Sequence, residues 1–228
     1  MSTEPLEEAA SIRKLLTRLA RSRGETPEAM FLRYGRERFL YRLSRSEHQH
    51  RFVLKGASLF YVWADEPHRP TKDIDLQGFG SIDVDAVGDI FRSVCDLQTE
   101  EDWVEFDSSS ISADEIREDS EYGGVRVKLL GTFAGARLHM QVDIGVGDAI
   151  VPTPKVIDYP SVLPGLGLHT ARLRAYPKEA VIAEKIQTLV NLGMFNSRMK
   201  DYYDLDEISS SFPFGDPRCS GRSSRWWC

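Results

Sequence analysis

Residues 69–76 read Arg-Pro-Thr-Lys-Asp-Ile-Asp-Leu, and this stretch decides how the whole chain is interpreted. Asp73 and Asp75 are two positions apart, so on a β-strand both carboxylates project from one face while Ile74 and Leu76 point to the core. Two adjacent carboxylates repel each other unless a cation lies between them. Oxygen ligands of this kind suit Mg²⁺ or Mn²⁺. The pair predicts a metal site on a strand, although two exposed acids on a strand edge would show the same pattern.

A turn of small residues lies upstream of this pair. The apolar run 52–54 predicts a short strand, and Lys55-Gly56-Ala57-Ser58 follows it directly. A glycine turn of this kind can bring backbone N–H groups close to a phosphate. Together with the two carboxylates, the turn predicts a metal–nucleotide site.

Composition indicates a globular protein. Of the 228 residues, 41% are hydrophobic and 28% are charged, which is typical of such a protein. The chain contains no apolar run of the roughly 20 residues that a membrane span needs, and it begins without a signal segment. The three cysteines form neither a zinc motif nor a disulfide framework. We expect a cytoplasmic protein with no membrane partner.

Charge is spread unevenly along the chain. Residues 1–51 contain 11 Lys and Arg against 7 Asp and Glu, whereas residues 83–122 contain 2 against 14. A nucleic-acid partner would avoid the acidic stretch and approach a basic face elsewhere. We interpret residues 83–122 as a solvated helix and loop, and residues 160–175 as a connector.

Hydrophobic periodicity predicts helices and strands in alternation. Thr26 precedes Pro27 as a helix N-cap would, and residues 132–135 join two strand patterns with a hairpin-like signal. The predicted helices cover about residues 11–20, 27–45, 59–63, 84–97, 178–192 and 197–210. The predicted strands cover about residues 52–54, 73–76, 125–130 and 136–144.

Further polar residues could join the site. Asp143 lies on a strand opposite the core-facing Val142 and Ile144, so it is a candidate third carboxylate. Lys185 projects from an apolar helix face and could reach a phosphate, or it could be a lysine with a buried stem. Residues 198–204 contain two acids that share a helix face, which is also the pattern of an ordinary charged surface.

These motifs, in this order, resemble one family. The run Lys55-Gly56-Ala57-Ser58 is followed by Arg69-x-Thr71-Lys72-Asp73-Ile74-Asp75-Leu76, and then by residues 142–148, Val-Asp-Ile-Gly-Val-Gly-Asp. Glu184-Lys185 and Arg198-x-Lys200-Asp201-Tyr202-Tyr203-Asp204 complete the set. The sequence resembles the AbiEii-type nucleotidyltransferases, the toxins of type IV toxin–antitoxin and abortive-infection systems, over about residues 25–211.

The resemblance implies an α+β fold like that of polymerase-β-type nucleotidyltransferases, with a small mixed sheet flanked by helices and a helical C-terminal part. It implies catalytic roles for Asp73, Asp75, Lys185 and Asp201, and Mg²⁺ or Mn²⁺ held by Asp73, Asp75 and Asp143. It further implies that the NTP is held by a larger set of residues. Those residues are Lys55, Gly56, Ser58, Lys72, Arg198 and Asp204.

The domain organisation follows from the same comparison. We expect a nucleotidyltransferase domain over residues 1–165 and a helical part over 176–211. Residues 212–228 have no period and are crowded with Pro, Gly, Ser, Arg, Trp and Cys. We interpret them as a non-native tail left by truncation, and the rival interpretation is a short docked tail.

The expected function is nucleotide transfer from an NTP to RNA, with the tRNA 3′ end as the favoured acceptor and a cognate antitoxin as a possible partner. The basic helix around residues 36–45 is a candidate acceptor-binding face. Two alternatives stay open at this point: a nucleotidyltransferase that modifies a protein or a small molecule, and an inactive nucleotide-binding module.

Overall fold

The computed structural model describes residues 4–64, 69–80, 82–116, 123–147, 150–193 and 198–211. The chain divides into two compact units, Met1–Pro177 and Lys178–Cys228. The described strands are β1 Phe52–Lys55, β2 Ile74–Gly78, β3 Val104–Ile116, β4 Gly124–Phe133, β5 Ala136–Val146, β6 Lys155–Asp158 and β7 Arg172–Ala175. The described α-helices are α1 Glu4–Ser22, α2 Pro27–Arg45, α3 Phe60–Trp63, α4 Val84–Cys95, α5 Lys178–Leu192 and α6 Met199–Ser211.

The seven strands form one mixed sheet in the order β3-β4-β5-β2-β1-β7-β6. β2 runs parallel to β5 and antiparallel to β1, and β1 runs parallel to β7. In this register Asp75 is the Cα partner of both Lys55 and Asp143. The middle of the sheet therefore brings together three segments that are far apart in sequence.

The helix starts predicted from sequence have ordinary caps. The Thr26 hydroxyl accepts a hydrogen bond from the Ala29 N–H at 3.2 Å, and Pro27 occupies the first turn of α2. The Asp83 carboxylate accepts from the Ala86 N–H at 2.8 Å at the start of α4. The prediction of α2 as a helix from Pro27 to Arg45 is confirmed.

β4 and β5 form the predicted hairpin. Its two turn residues, Ala134 and Gly135, have φ of 45° and 78°, the left-handed conformations that a tight hairpin turn requires. Along β5, Leu138, Met140, Val142 and Ile144 are buried as the alternation predicts. Asp143 consequently lies on the other face.

An aromatic cluster fills the space between the helices and the sheet. Phe39 of α2 lies 5.5 Å from Phe91 of α4 and 5.6 Å from Phe106 of β3, measured between ring centroids. Phe52 of β1 meets the Phe91 ring edge-on at 5.7 Å. Tilted and edge-on arrangements of this kind add to the burial of apolar surface. The cluster fixes α2 and α4 against one face of the sheet.

α2 also carries a buried ionic cluster. Arg38, Arg42 and Asp102 are 0%, 7% and 2% exposed. The Asp102 carboxylate accepts hydrogen bonds from Arg38 Nε at 2.9 Å and from Arg42 Nη1 and Nη2 at 2.8 and 3.1 Å. Arg38 also donates to the His169 carbonyl at 2.8 Å. This ionic cluster of Arg38, Arg42 and Asp102 holds α2 to the segments before β3 and β7.

The burial of the arginines in α2 corrects the expectation of an acceptor-binding face on this helix. Residues 36–45 were a candidate acceptor-binding face, but Arg36, Arg38 and Arg42 are all buried. Their charge is directed inward to carbonyl and carboxylate oxygens and is not presented to a partner. Only Arg45, among the arginines of that range, is exposed.

The expectation of a solvated helix and loop over residues 83–122 is wrong for its second half. β3 is a 13-residue strand at the edge of the sheet. Because its outer face meets solvent, it carries Glu105, Asp107 and Asp114, and a register shift between Asp107 and Ser112 interrupts its ladder. Residues 117–122 lie outside the described part of the chain.

The connector expected over residues 160–175 contains a strand. β7 lies between β1 and β6, and β6 forms the other edge of the sheet. Both strands have four residues and β6 is largely exposed, so neither has the long apolar alternation that sequence reasoning detects.

The second unit contains α5 and α6. α5 matches its predicted span of 178–192, and α6 begins two residues later than predicted. The tail expected over residues 212–228 lies outside the described residues. Within the described parts of the chain, no helix combines the length and the apolar character needed to cross a membrane.

We expect Asp102→Ala to lower the free energy of unfolding by about 3–5 kcal/mol, because it leaves two buried guanidinium groups without their shared carboxylate. Urea denaturation measures this. Glu105→Ala, at an exposed position on β3, is the control and should cost less than about 0.5 kcal/mol. Equal costs for the two substitutions would contradict a structural role for the ionic cluster.

Candidate active site

The turn after β1 lies in direct contact with Asp75. Gly56 has φ of 69°, a left-handed conformation that favours glycine. A Cβ added to Gly56 would lie 2.2 Å from Asp75 Oδ2, which is far inside van der Waals contact. The backbone of the turn and the carboxylate therefore occupy adjacent space. Any larger residue at position 56 would displace Asp75.

The two aspartates at the start of β2 have the predicted alternation. Ile74 and Leu76 are 0% and 1% exposed, whereas Asp73 and Asp75 are half-buried. Because Asp75 and Asp143 are paired across parallel strands, their side chains leave the same face of the sheet. The structure thus brings Asp75 and Asp143 side by side.

Asp143 already has a strong cationic partner. Arg126, its Cα partner on β4, donates from Nε and Nη2 to the two carboxylate oxygens, both at 2.8 Å. Gln141 Nε2 lies 3.2 Å from each of the same oxygens. A bidentate arginine pair of this geometry is among the stronger side-chain contacts. Asp143 would have to share or exchange this partner to bind a metal ion.

Two carboxylates at the start of β2 fit the protein half of a Mg²⁺ site. Mg²⁺ commonly binds through one or two carboxylates and completes its shell with water and substrate phosphates. Within the described ranges, no group of three or more His, Cys, Asp or Glu side chains is arranged to hold a metal ion. Metal binding by Asp73 and Asp75 with Asp143 as a third ligand stays a prediction.

Gln77 extends the same face and was not identified from sequence. It is fully buried, its Oε1 accepts from the Tyr176 hydroxyl at 3.3 Å, and its Nε2 has no hydrogen-bond partner within the described part of the chain. Lys55 Nζ lies 5.8 Å from the centroid of the Tyr176 ring. A Cβ added to Gly145 would lie 3.1 Å from that Nζ and 3.3 Å from Gln77 Oε1. An ammonium and a buried amide donor thus lie beside Asp75.

Two signals could have found these neighbours. Gln77 follows Asp75 by two positions, so the alternation that aligned the carboxylates also places its side chain. The Arg126–Asp143 pair follows from counting outward from the hairpin turn at Gly135. Nothing in the sequence singles out Tyr176.

α2 anchors the segment that leads into β2. Arg36 is 4% exposed and its Nη1 donates to the Thr71 carbonyl oxygen. The Thr71 hydroxyl in turn donates to the Asp73 carbonyl oxygen at 3.3 Å. The backbone just before Asp75 is therefore tied to the helix that carries the ionic cluster.

The remaining residues expected at the NTP show two different environments. Ser58 is 1% exposed and lies in the 3₁₀ turn Gly56–Leu59 that follows β1. Lys72 is exposed on the segment before Asp73. Their contacts with a nucleotide stay predictions.

The second unit has a charged cluster of its own. Lys185 Nζ of α5 lies 2.9 Å from Asp201 Oδ1 and 2.6 Å from Asp204 Oδ2 of α6. Arg198 Nε lies 3.1 Å from Asp201 Oδ2. The structure brings these four predicted site residues together and ties the two helices to each other. Their catalytic and nucleotide-binding roles stay predictions.

We expect Gly56→Ala to destabilise the protein by about 1–3 kcal/mol more than Gly24→Ala, because overpacking against Asp75 adds to backbone strain. Gly24 is a matched control, since its φ is 68° and a Cβ there would meet nothing within 4 Å. Urea denaturation of both variants measures the difference. If the two substitutions cost the same, the close contact with Asp75 is not a constraint.

We expect Lys185→Met to loosen the second unit, because it leaves Asp201 and Asp204 without their shared cation. Amide hydrogen exchange should become faster in α5 and α6, corresponding to a loss of about 3 kcal/mol in local stability. Adding Asp204→Asn should restore part of the protection by removing one of the two carboxylate charges. Unchanged exchange in the single variant would contradict a structural role for this lysine.

Comparisons with known proteins identify the family. The model of the family described as nucleotidyl transferase AbiEii toxin, type IV TA system, matches residues 38–219. No curated protein matches the chain.

Among solved structures, JHP933 from Helicobacter pylori is 15% identical, with a TM-score of 0.50 over 77% of this chain and 63% of its own length. The chain thus spans less than two thirds of that protein. ANT(2″)-Ia in complex with adenylyl-2″-tobramycin is 14% identical, with a TM-score of 0.35 over 75% of this chain and 85% of its own.

The predicted α+β nucleotidyltransferase fold is confirmed by the family match together with the mixed sheet and its helices. The family predicted from the ordered motifs is confirmed as well, because the matching model covers most of the chain. The chain belongs to the AbiEii nucleotidyl transferase toxin family of type IV toxin–antitoxin systems.

Proposed function

We propose that this chain is a metal-dependent nucleotidyltransferase that moves a nucleotide from an NTP to RNA, with the 3′ end of tRNA as the acceptor. It acts in the cytoplasm as the toxin of a two-gene system and is neutralised by a cognate antitoxin. The observation that carries this proposal is the contact of the Gly56 turn with Asp75, beside Asp73 and Lys55. A phosphate and a cation can be bound together at such a turn.

The proposed reaction is an in-line displacement at the α-phosphorus of the NTP. The acceptor hydroxyl oxygen forms the new bond to that phosphorus, and the bond to the bridging oxygen of pyrophosphate breaks. The hydroxyl proton leaves to solvent or to a nearby carboxylate, and pyrophosphate carries away the electron pair of the broken bond. No oxidant or reductant is needed.

Asp73 and Asp75 are the residues that would hold Mg²⁺ or Mn²⁺. When bound, such an ion neutralises phosphate charge and orients the reacting oxygens. The Lys55 ammonium supplies further positive charge next to these carboxylates. The Arg126 guanidinium keeps Asp143 in its orientation beside Asp75.

The resemblance assigns a triphosphate contact to Lys185 and a catalytic role to Asp201. Lys185 is engaged by two carboxylates in the second unit. A phosphate contact would therefore require this ammonium to share or exchange carboxylate partners. Nucleotide binding by Arg198 and Asp204 would likewise require a change in their ion pairs with Asp201 and Lys185.

We expect the protein to incorporate label from one or more α-³²P NTPs into tRNA in the presence of Mg²⁺. Asp73→Asn and Asp75→Asn should each lower the rate by at least about 10²–10³-fold, because they remove charge that stabilises the transition state. The measurement uses purified tRNA, total RNA, a protein extract and a small-molecule fraction as parallel acceptors.

Asp114→Asn is the control, since Asp114 is an exposed carboxylate on the outer strand β3. It should leave the rate unchanged. Incorporation that survives both Asp73→Asn and Asp75→Asn would refute the mechanism. Label in protein or in small molecules, with none in RNA, would refute the proposal that RNA is the acceptor. NTP binding without any transfer would identify an inactive nucleotide-binding module.

A further inference from the structure

A groove of about 570 Å³ opens at the β6–β7 side of the sheet, within the first unit. Its walls come from the end of α2, the turn before β1, the loop before β7, and strands β6 and β7. Of its eleven lining residues, five are arginine or histidine and none is acidic. These five are Arg45, His50, His169, Arg172 and Arg174. We refer to this feature as the basic groove.

Most of the basic side chains of the groove reach solvent. Arg45, His50, His169 and Arg172 are exposed. Arg174 is half-buried, donates to the His50 carbonyl oxygen, and has its guanidinium carbon 5.5 Å from the centroid of the Phe79 ring. A guanidinium fixed in this way binds a phosphate with less loss of side-chain freedom than a mobile one.

Flat ring surfaces adjoin these charges. The His169 ring, with 78% of its side chain exposed, stacks on the buried Tyr41 ring at an interplanar angle of 8° and 6.4 Å between centroids. Phe79 beside Arg174 is 39% exposed. Arginines interleaved with aromatic rings are typical of surfaces that bind single-stranded nucleic acid, because bases stack on the rings while the cations follow the phosphates.

Two acidic residues lie near the basic side chains of the groove. His169 Nδ1 lies 2.7 Å from Glu100 Oε2, and Arg38 also binds that carboxylate. Burial alone would raise the pKa of Glu100, but its hydrogen bonds with His169 hold that pKa below the ordinary value. Asp158 lies opposite Arg172 in the β6–β7 register but does not line the groove.

Charge is segregated across the sheet. The chain carries a net charge of −6, and the edge strand β3 exposes Glu105, Asp107, Asp114 and Glu115. The basic groove lies at the opposite edge of the same sheet. An approaching polyanion would be repelled at β3 and attracted at β6–β7, so the field orients it before contact.

The groove lies a short distance from the candidate active site. Ala175 of β7 pairs with Leu54 of β1, whose next residue, Lys55, pairs with Asp75. Arg172 is therefore about four residues from the level of Asp75, or roughly 13 Å along the strands. An RNA of several nucleotides can contact both regions at once, whereas a mononucleotide cannot.

We propose that the basic groove binds the sugar–phosphate backbone of the RNA acceptor and thereby directs its end to Asp73 and Asp75. This inference depends on the proposed function for the identity of the polyanion. The proposal places the RNA acceptor on the β6–β7 side of the first unit.

The test compares two double charge reversals in fluorescence anisotropy with labelled tRNA, without NTP, at several salt concentrations. Arg45→Glu with Arg172→Glu alters the basic groove. Arg18→Glu with Arg21→Glu alters a second basic surface, along α1 beside the hairpin turn, and is matched in charge. Circular dichroism and thermal melting verify that both variants fold.

The Kd of the groove variant for tRNA should be at least about tenfold higher than that of the parent protein. The slope of log K against log salt should be smaller in magnitude by about 1.5 for this variant. The α1 variant should bind tRNA like the parent protein. The proposal is overturned if the groove variant binds tRNA as tightly as the parent protein does. It is also overturned if only the α1 variant loses tRNA binding. If the groove variant loses binding to polyglutamate but keeps binding to tRNA, the proposal is overturned, and the groove binds an acidic protein. Groove-dependent tRNA binding without any nucleotide transfer would support the groove and refute only the proposed reaction.

Discussion

The first unit depends on one buried carboxylate. Asp102 is bound by both Arg38 and Arg42, so a single acid neutralises two guanidinium groups inside the protein. Burying these groups is costly, and the cost is offset only if the geometry is close to ideal. The register of α2 is thereby fixed, because a shift of one residue would separate the arginines from Asp102. The aromatic contacts of Phe39 and the anchor on Thr71 follow from that register.

A second constraint acts at the site itself. Asp75 is packed against the backbone of the Gly56 turn, and its neighbour Asp143 is neutralised by Arg126. The two carboxylates therefore contact different neighbours although they are paired in register. The close turn limits what else can occupy the space beside it.

Sequence predicted the parts of the structure that leave a local signal. The Thr26-Pro27 cap gave the start of α2, and alternation along β5 gave the face of Asp143. β3 was missed because an edge strand with one face in water is as polar as a loop. The inward direction of Arg38 was also missed, because its partner Asp102 is 64 residues away and no periodic pattern links them. Long-range pairs of this kind are decided by packing.

The Arg36–Thr71 hydrogen bond links α2 to the backbone in front of the site carboxylates. Through this contact, α2 joins the loop in front of β2 to the ionic cluster, so the carboxylates are mechanically coupled to a helix whose last turn borders the basic groove. A displacement at the end of α2 would therefore reach the backbone that precedes these carboxylates through the same hydrogen bond.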